Sequence, residues 1–241
     1  MKKVTILILL LALSIPAAAQ AKIIVASGAG YRSLVDKLSE SYTSRTGNQV
    51  ERIYGNMARV TAQARNSRAV DMVLGDKSFL DKAKLDYSTV QKVGRGRLVI
   101  AYPKGSSFSG KQNLLAKETS RIALPDTKRA IYGKAALQYL HSKGIFETVE
   151  PKLLMVATVP QSASYVVAGE VDYAFINLTH ARKIAKSIGG YVSVDESSYT
   201  PISIIVEQMS HTKNTAECKE FMKFLKSEAA VKIIAAHGMQ D

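Results

Sequence analysis

Apolar residues switch between two spacings along this chain, and each switch marks a new element. Ile23 to Ala26 is a short, partly β-branched apolar run, enough for one buried strand. Ser27-Gly28-Ala29-Gly30 is a turn, and from Tyr31 the spacing becomes helical, with Leu34, Val35 and Leu38 on one face and Asp36, Lys37 and Glu40 opposite. A strand that ends in a glycine turn and opens a helix leaves unpaired backbone N–H groups at the helix start, where the helix dipole also favours an anion. The grammar then repeats. Val50 to Tyr54 reads as a strand, Gly55-Asn56 as a turn, and Asn56 as the N-cap of a helix reaching about Arg65.

Further strands are predicted at Val70 to Leu74, Leu98 to Tyr102, Arg121 to Leu124, Leu153 to Val156 and Tyr173 to Ile176. Helices are predicted at Ser78 to Lys84, Ile131 to Leu140 and Ser162 to Ala168, the last stopped by Gly169. Tyr199 to Met209 is a final strand, and Ala216 to His237 a long amphipathic helical stretch. Strands alternating with helices predict an α/β architecture with mostly parallel sheets flanked by helices. Two lobes are expected, the first from residues 22–98 plus 204–241 and the second from 99–203. The two strands that cross between them form a hinge, and ligands in such sheets bind beyond the carboxyl ends of the strands.

The first 21 residues stand apart from this pattern. Lys2 and Lys3, the apolar run from Val4 to Ile15 and the small residues around Ala19-Gln20-Ala21 form a cleavable export signal, which places the protein in a bacterial periplasm. The formal charge of +13, less those two lysines, is +11. That excess favours anionic ligands, while the export signal and the lack of a tight basic cluster with interleaved aromatics argue against nucleic acid. Cys218 is the single cysteine and sits at helical spacing, as a buried small hydrophobe would. His141, His180, His211 and His237 show no metal-ligand spacing, and no nucleophile elbow is present. A monomer that is not an enzyme and carries no metal or cofactor is therefore expected.

Several stretches carry a resemblance: KIIVASGAGYRSLVDKL at the start, AVDMVLGD, LVIAYPKGS, RAIYGKAALQYL, and VPQSASYVVAGEVDYAFINLTHA. Together they resemble the exported solute-binding proteins of ABC transporters, most closely the molybdate-binding family. The resemblance implies the two-lobed type II periplasmic binding fold, a small anion as ligand and an ABC permease as partner. It also implies a tetrahedral oxyanion held by serine hydroxyls, backbone N–H groups and a tyrosine hydroxyl, without formal positive charge. At the positions concerned this chain has Gly30, Gly55-Asn56-Met57, Arg129 and Asn177, and Val159 alone keeps its backbone-donor place.

The candidate ligand-binding residues are thus Ser27, Gly28, Gly30, Tyr31, Arg32, Gly55, Asn56, Arg129, Val159 and Asn177. Two arginines near helix starts present planar forks suited to carboxylate or phosphate. They lead to the expectation of a small anion, an oxyanion or a small organic carboxylate or phosphate, with weak or no molybdate binding. The alternative use of the same fold is as a sensor partner or an envelope-binding factor.

Overall fold

The computed structural model describes residues 22–239, and the predicted export signal over residues 1–21 lies outside them. The chain runs β1 (Lys22–Gly28), α1 (Arg32–Thr46), β2 (Gln49–Gly55), α2 (Met57–Asn66), β3 (Met72–Asp76), α3 (Lys77–Ala83) and β4 (Tyr87–Gly96). It continues through β5 (Leu98–Tyr102), α4 (Lys111–Leu115), β6 (Ile122–Pro125), α5 (Ile131–Ser142), α6 (Phe146–Val149), β7 (Leu153–Val156), α7 (Val159–Ala168), β8 (Tyr173–Asn177) and α8 (Leu178–Ile184). It ends with β9 (Gly190–Ser193), β10 (Ile202–Met209), α9 (Thr215–Leu225) and α10 (Glu228–Ala236).

These strands form two five-stranded sheets, in the orders β2-β1-β3-β10-β4 and β7-β6-β8-β5-β9. In the first, β1 pairs in parallel with β2 and β3, and β10 runs antiparallel to β3 and β4. In the second, β6 pairs in parallel with β7 and β8, and β5 runs antiparallel to β8 and β9. The reversed strands are β5 and β10, on which the chain enters one sheet directly from the other. A parallel neighbour would require a helical crossover there. Everywhere else the strand–helix alternation keeps strands parallel, which sends the starts of the following helices to one end of each sheet.

Local chemistry explains most element limits. Gly47 closes α1 at φ +78° and Gly169 closes α7 at φ +73°, the left-handed region that glycine enters without steric cost. Leu34, Val35, Leu38 and Tyr42 bury the inner face of α1. Tyr42 meets Phe221 of α9 edge-on, with ring centroids 5.1 Å apart. Cys218 lies in the same core, where burial pushes its thiol up to about 12.

The short elements α4, α6, α8 and β9 are not among the sequence expectations, and three further departures have a local reason. β4 was not foreseen, because Tyr87, Ser88, Thr89 and Val90 are exposed on the edge of their sheet and show no apolar alternation. The C-terminal helical stretch is two helices, since Ser227 accepts a hydrogen bond from the Ala230 N–H at 3.3 Å and caps α10. The strand expected at Val70 to Leu74 begins at Met72, because Asp71 uses its carboxylate to accept from the Ile24 N–H and from Asn214 Nδ2. The crossings lie side by side: the Leu98 N–H donates to Tyr199 Oη at 3.1 Å, and Arg95 and Arg97 both reach Glu196, at 2.8 and 3.2 Å.

Candidate functional site

The carboxyl ends of β1, β2, β6 and β7 face one another across a cleft, and the start of a helix follows each of them. The first four N–H groups of a helix have no intrahelical acceptor, so the question is which of them are already taken. In α7, Thr158 Oγ1 accepts from Gln161, the Thr158 carbonyl accepts from Ser162, and Pro160 has no N–H. Val159 is left as the helical donor at the cleft. In α2, Asn56 Oδ1 accepts from Arg59 at 2.9 Å and Ala58 donates across the cleft to the Arg129 carbonyl at 3.4 Å, which leaves Met57.

The other two helix starts have no side-chain cap at all. α5 begins after Ala130 with Ile131 and Tyr132. α1 is preceded by a single 3₁₀ turn over Ala29–Tyr31 that opens from Gly28. Four helix starts, each keeping at least one N–H with no acceptor among the described residues, therefore border one space.

That space is neutral. Its walls are the Gly28–Tyr31 turn, the Gly55–Met57 turn, Ala130 to Tyr132, and Thr158-Val159, with no Lys, Arg, Asp or Glu among them. Its free volume is about 30 Å³. A single water needs roughly 10–15 Å³, and pockets for drug-sized ligands run to about 300–1,000 Å³. The cleft accordingly suits a ligand of a few atoms.

Of the residues singled out from sequence, Gly28, Gly30, Tyr31, Gly55, Asn56 and Val159 line this cleft. At Gly30 the two sides come close: a Cβ there would lie 3.1 Å from Asn177 Nδ2 and 3.3 Å from Val159 Cβ. Asn177 is fully buried behind it, donating to the Gly30 carbonyl at 3.1 Å while its Oδ1 accepts from His180 and caps α8. Ser27 is fully buried too, outside the lining, and its Oγ has no hydrogen-bond partner.

The arginines are placed elsewhere than expected. The Arg32 guanidinium stacks 4.3 Å over the centroid of the Tyr54 ring. The Arg129 side chain is 69% exposed and leans toward Asp126, with Nε 3.9 Å from Oδ2. Neither fork lines the cleft, so the case for a carboxylate or phosphate clamped by guanidinium loses its geometric basis.

Sequence reasoning missed Ala29, Met57, Ala130, Ile131, Tyr132 and Thr158 as lining residues. Thr158, a Ser/Thr cap just before a Val-Pro helix start, carried a usable signal. Ile131 and Tyr132 carried one as the Ile-Tyr pair within RAIYGKAALQYL, one of the stretches that bear the resemblance. Among the described residues no three His, Cys, Asp or Glu side chains gather as a metal site, and no helix is long and apolar enough to cross a membrane.

Comparison with known proteins fits this geometry. The model of a family described as bacterial extracellular solute-binding protein matches residues 23–240. The chain is 26% identical over 239 residues to the molybdate-binding protein ModA of Rhodobacter capsulatus, covering 97% of this chain and 94% of that one. Among solved structures, the periplasmic molybdate-binding protein of Azotobacter vinelandii superposes with a TM-score of 0.82 at 23% identity, over 90% of this chain and 98% of that one. The sulfate-binding protein SubI of Mycobacterium tuberculosis superposes with a TM-score of 0.76 at 15% identity, over 91% and 86%. These likenesses show a shared two-lobed α/β fold.

Proposed function

This chain belongs to the family of bacterial extracellular solute-binding proteins, and from that membership we propose that it captures a small tetrahedral oxyanion in its cleft and delivers it to an ABC permease. One observation carries the reading: four helix starts with leftover N–H groups border a small space with no charged side chain. Hydrogen bonds to a charged acceptor contribute roughly 1.5–3 kcal/mol each. A few of them, with four helix dipoles behind them, hold an anion without a counter-charge.

The donor set also narrows the class. No carboxylate lines the cleft to accept a proton from a protonated anion, so a fully ionised dianion of the molybdate or sulfate type fits better than hydrogen phosphate. The relatives' names point the same way. Of the two anion classes expected, the small organic carboxylate or phosphate draws less support, because neither arginine lines the cleft.

In this reading the lobes, residues 22–98 with 204–241 and residues 99–203, close about the two crossings as a monomer. Export through residues 1–21 would leave Lys22, the first residue of β1, at the mature N-terminus. Intact mass of protein recovered from its native periplasm checks that cleavage. Native mass spectrometry with molybdate, tungstate, sulfate and phosphate tests the function. A one-to-one adduct with at least one tetrahedral dianion is expected, and no adduct with any of them would refute the reading.

A further inference from the structure

Two hydroxyls in the cleft have no part in the backbone-donor account. Tyr31 ends the turn after β1, on the first sheet's side, and Tyr132 is the second residue of α5, on the other side. Their Oη atoms lie 2.7 Å apart, the distance of an O–H···O bond, and both residues are 2% exposed. The rings stand with centroids 6.0 Å apart at 58°. Gly96, the last residue of β4 before the chain crosses at Arg97, lies against both hydroxyls: a Cβ there would overlap Tyr132 Oη and lie 3.2 Å from Tyr31 Oη. A second buried link joins the same two sides, Asn177 Nδ2 to the Gly30 carbonyl. Both bonds run from protein to protein, and both must break if the sheets separate.

We propose that Tyr31, Tyr132 and Asn177 form an interlobe clasp, positioning residues that set how much of the protein is closed before any anion arrives. The proposal rests on the capture reading for its purpose but not for its test. A ligand that binds only the closed form has an apparent Kd divided by the closed fraction, so a weakened clasp weakens binding with every anion contact intact. Y132F strands the Tyr31 hydroxyl and Y31F leaves that of Tyr132 with Asn177 alone, whereas removing both leaves no hydroxyl stranded. Y132F above all should therefore lose more than the double variant. A direct role in holding the anion would instead give losses that accumulate.

The test is small-angle scattering of the ligand-free full chain as wild type, Y31F, Y132F and Y31F/Y132F, with calorimetry against molybdate and sulfate on the same four proteins. Each single variant should show a larger radius of gyration without anion and about tenfold weaker binding. The double variant should move back toward wild type in both. N177D supplies a second route if a tyrosine variant fails to fold: it keeps the cap acceptor for His180, removes the donor to Gly30, and should also expand the ligand-free protein. Ligand-free scattering of the folded variants that matches wild type would overturn the clasp, whatever happens to affinity. Should wild type bind neither probe, the capture reading fails, and the ligand-free scattering still decides the clasp.

Discussion

Arg32, Arg59 and Arg129 each lie within two residues along the chain of one that lines the cleft, and all three are exposed. Arg59 packs its aliphatic stem over Gly55, 3.4 Å from where a Cβ would be. Exposed charges at this distance from a neutral cradle add little to the energy of the bound state but raise the local concentration of anion at its mouth. Arg129→Ala should slow association a few-fold at low ionic strength and leave dissociation unchanged. At about 0.5 M salt, where screening acts over a few ångströms, stopped-flow traces of variant and wild type should converge. Faster dissociation in the variant would put Arg129 back in contact with the ligand. The residue types at this rim were legible in sequence, and the capping role of Asn56 was too, because a cap is made with the next turn of its own helix. Where an arginine points was not legible. Its partner is set by the fold, Tyr54 for Arg32 and Asp126 for Arg129.

At the scale of elements, the start of α2 depends on one side chain. Asn56→Ala removes the acceptor for the Arg59 N–H and should cost about 1 kcal/mol, which lowers the melting temperature by roughly 2–4 °C in a chain of this size. It should also weaken anion binding, because the first turn that holds the Met57 donor frays. Strand β10 carries the other testable weakness. Glu207 is 1% exposed, its Oε2 has no partner, and burial, reinforced by Asp81, pushes its carboxyl up to about 7. A carboxyl with a raised folded pKa disfavours the native state once the unfolded chain ionises. Its contribution is fully retained below the ordinary value of 4.5 and lost as pH climbs through about 7. Thermal melts of wild type minus Glu207→Gln should thus show little difference near pH 4, and a variant several degrees more stable at pH 8. Equal differences at both pH values would contradict the assignment. Strands β1, β5, β6, β7 and β8 were readable because they are apolar runs bounded by turns, and β2 because Val50, Ile53 and Tyr54 lead into the Gly55 turn. β4 was not, since an edge strand that exposes Tyr87 and Val90 has no pattern to distinguish it from a loop.

At the scale of the molecule, the alternation of strands and helices was enough to expect a cleft ringed by helix starts, because each strand–turn–helix unit is local. The contacts that join the two sides were hidden. Tyr31 and Tyr132 are 101 residues apart, and Asn177 and Gly30 are 147 apart. Nothing in either neighbourhood announces the other. On the proposed reading, closure by rotation at the crossings of Arg97 and of Thr200-Pro201 would bring donors from both sides onto one anion and exclude water, which strengthens each of those bonds. The central claim is that these neutral donors, and not the guanidinium groups, hold the ligand. Calorimetry of wild type and of the triple variant Arg32→Ala/Arg59→Ala/Arg129→Ala, titrated with molybdate, sulfate and phosphate at about 0.15 M salt, tests it most directly. Wild type should bind a tetrahedral dianion one-to-one, and the triple variant should retain affinity within about tenfold. Abolished binding in a folded triple variant would contradict it.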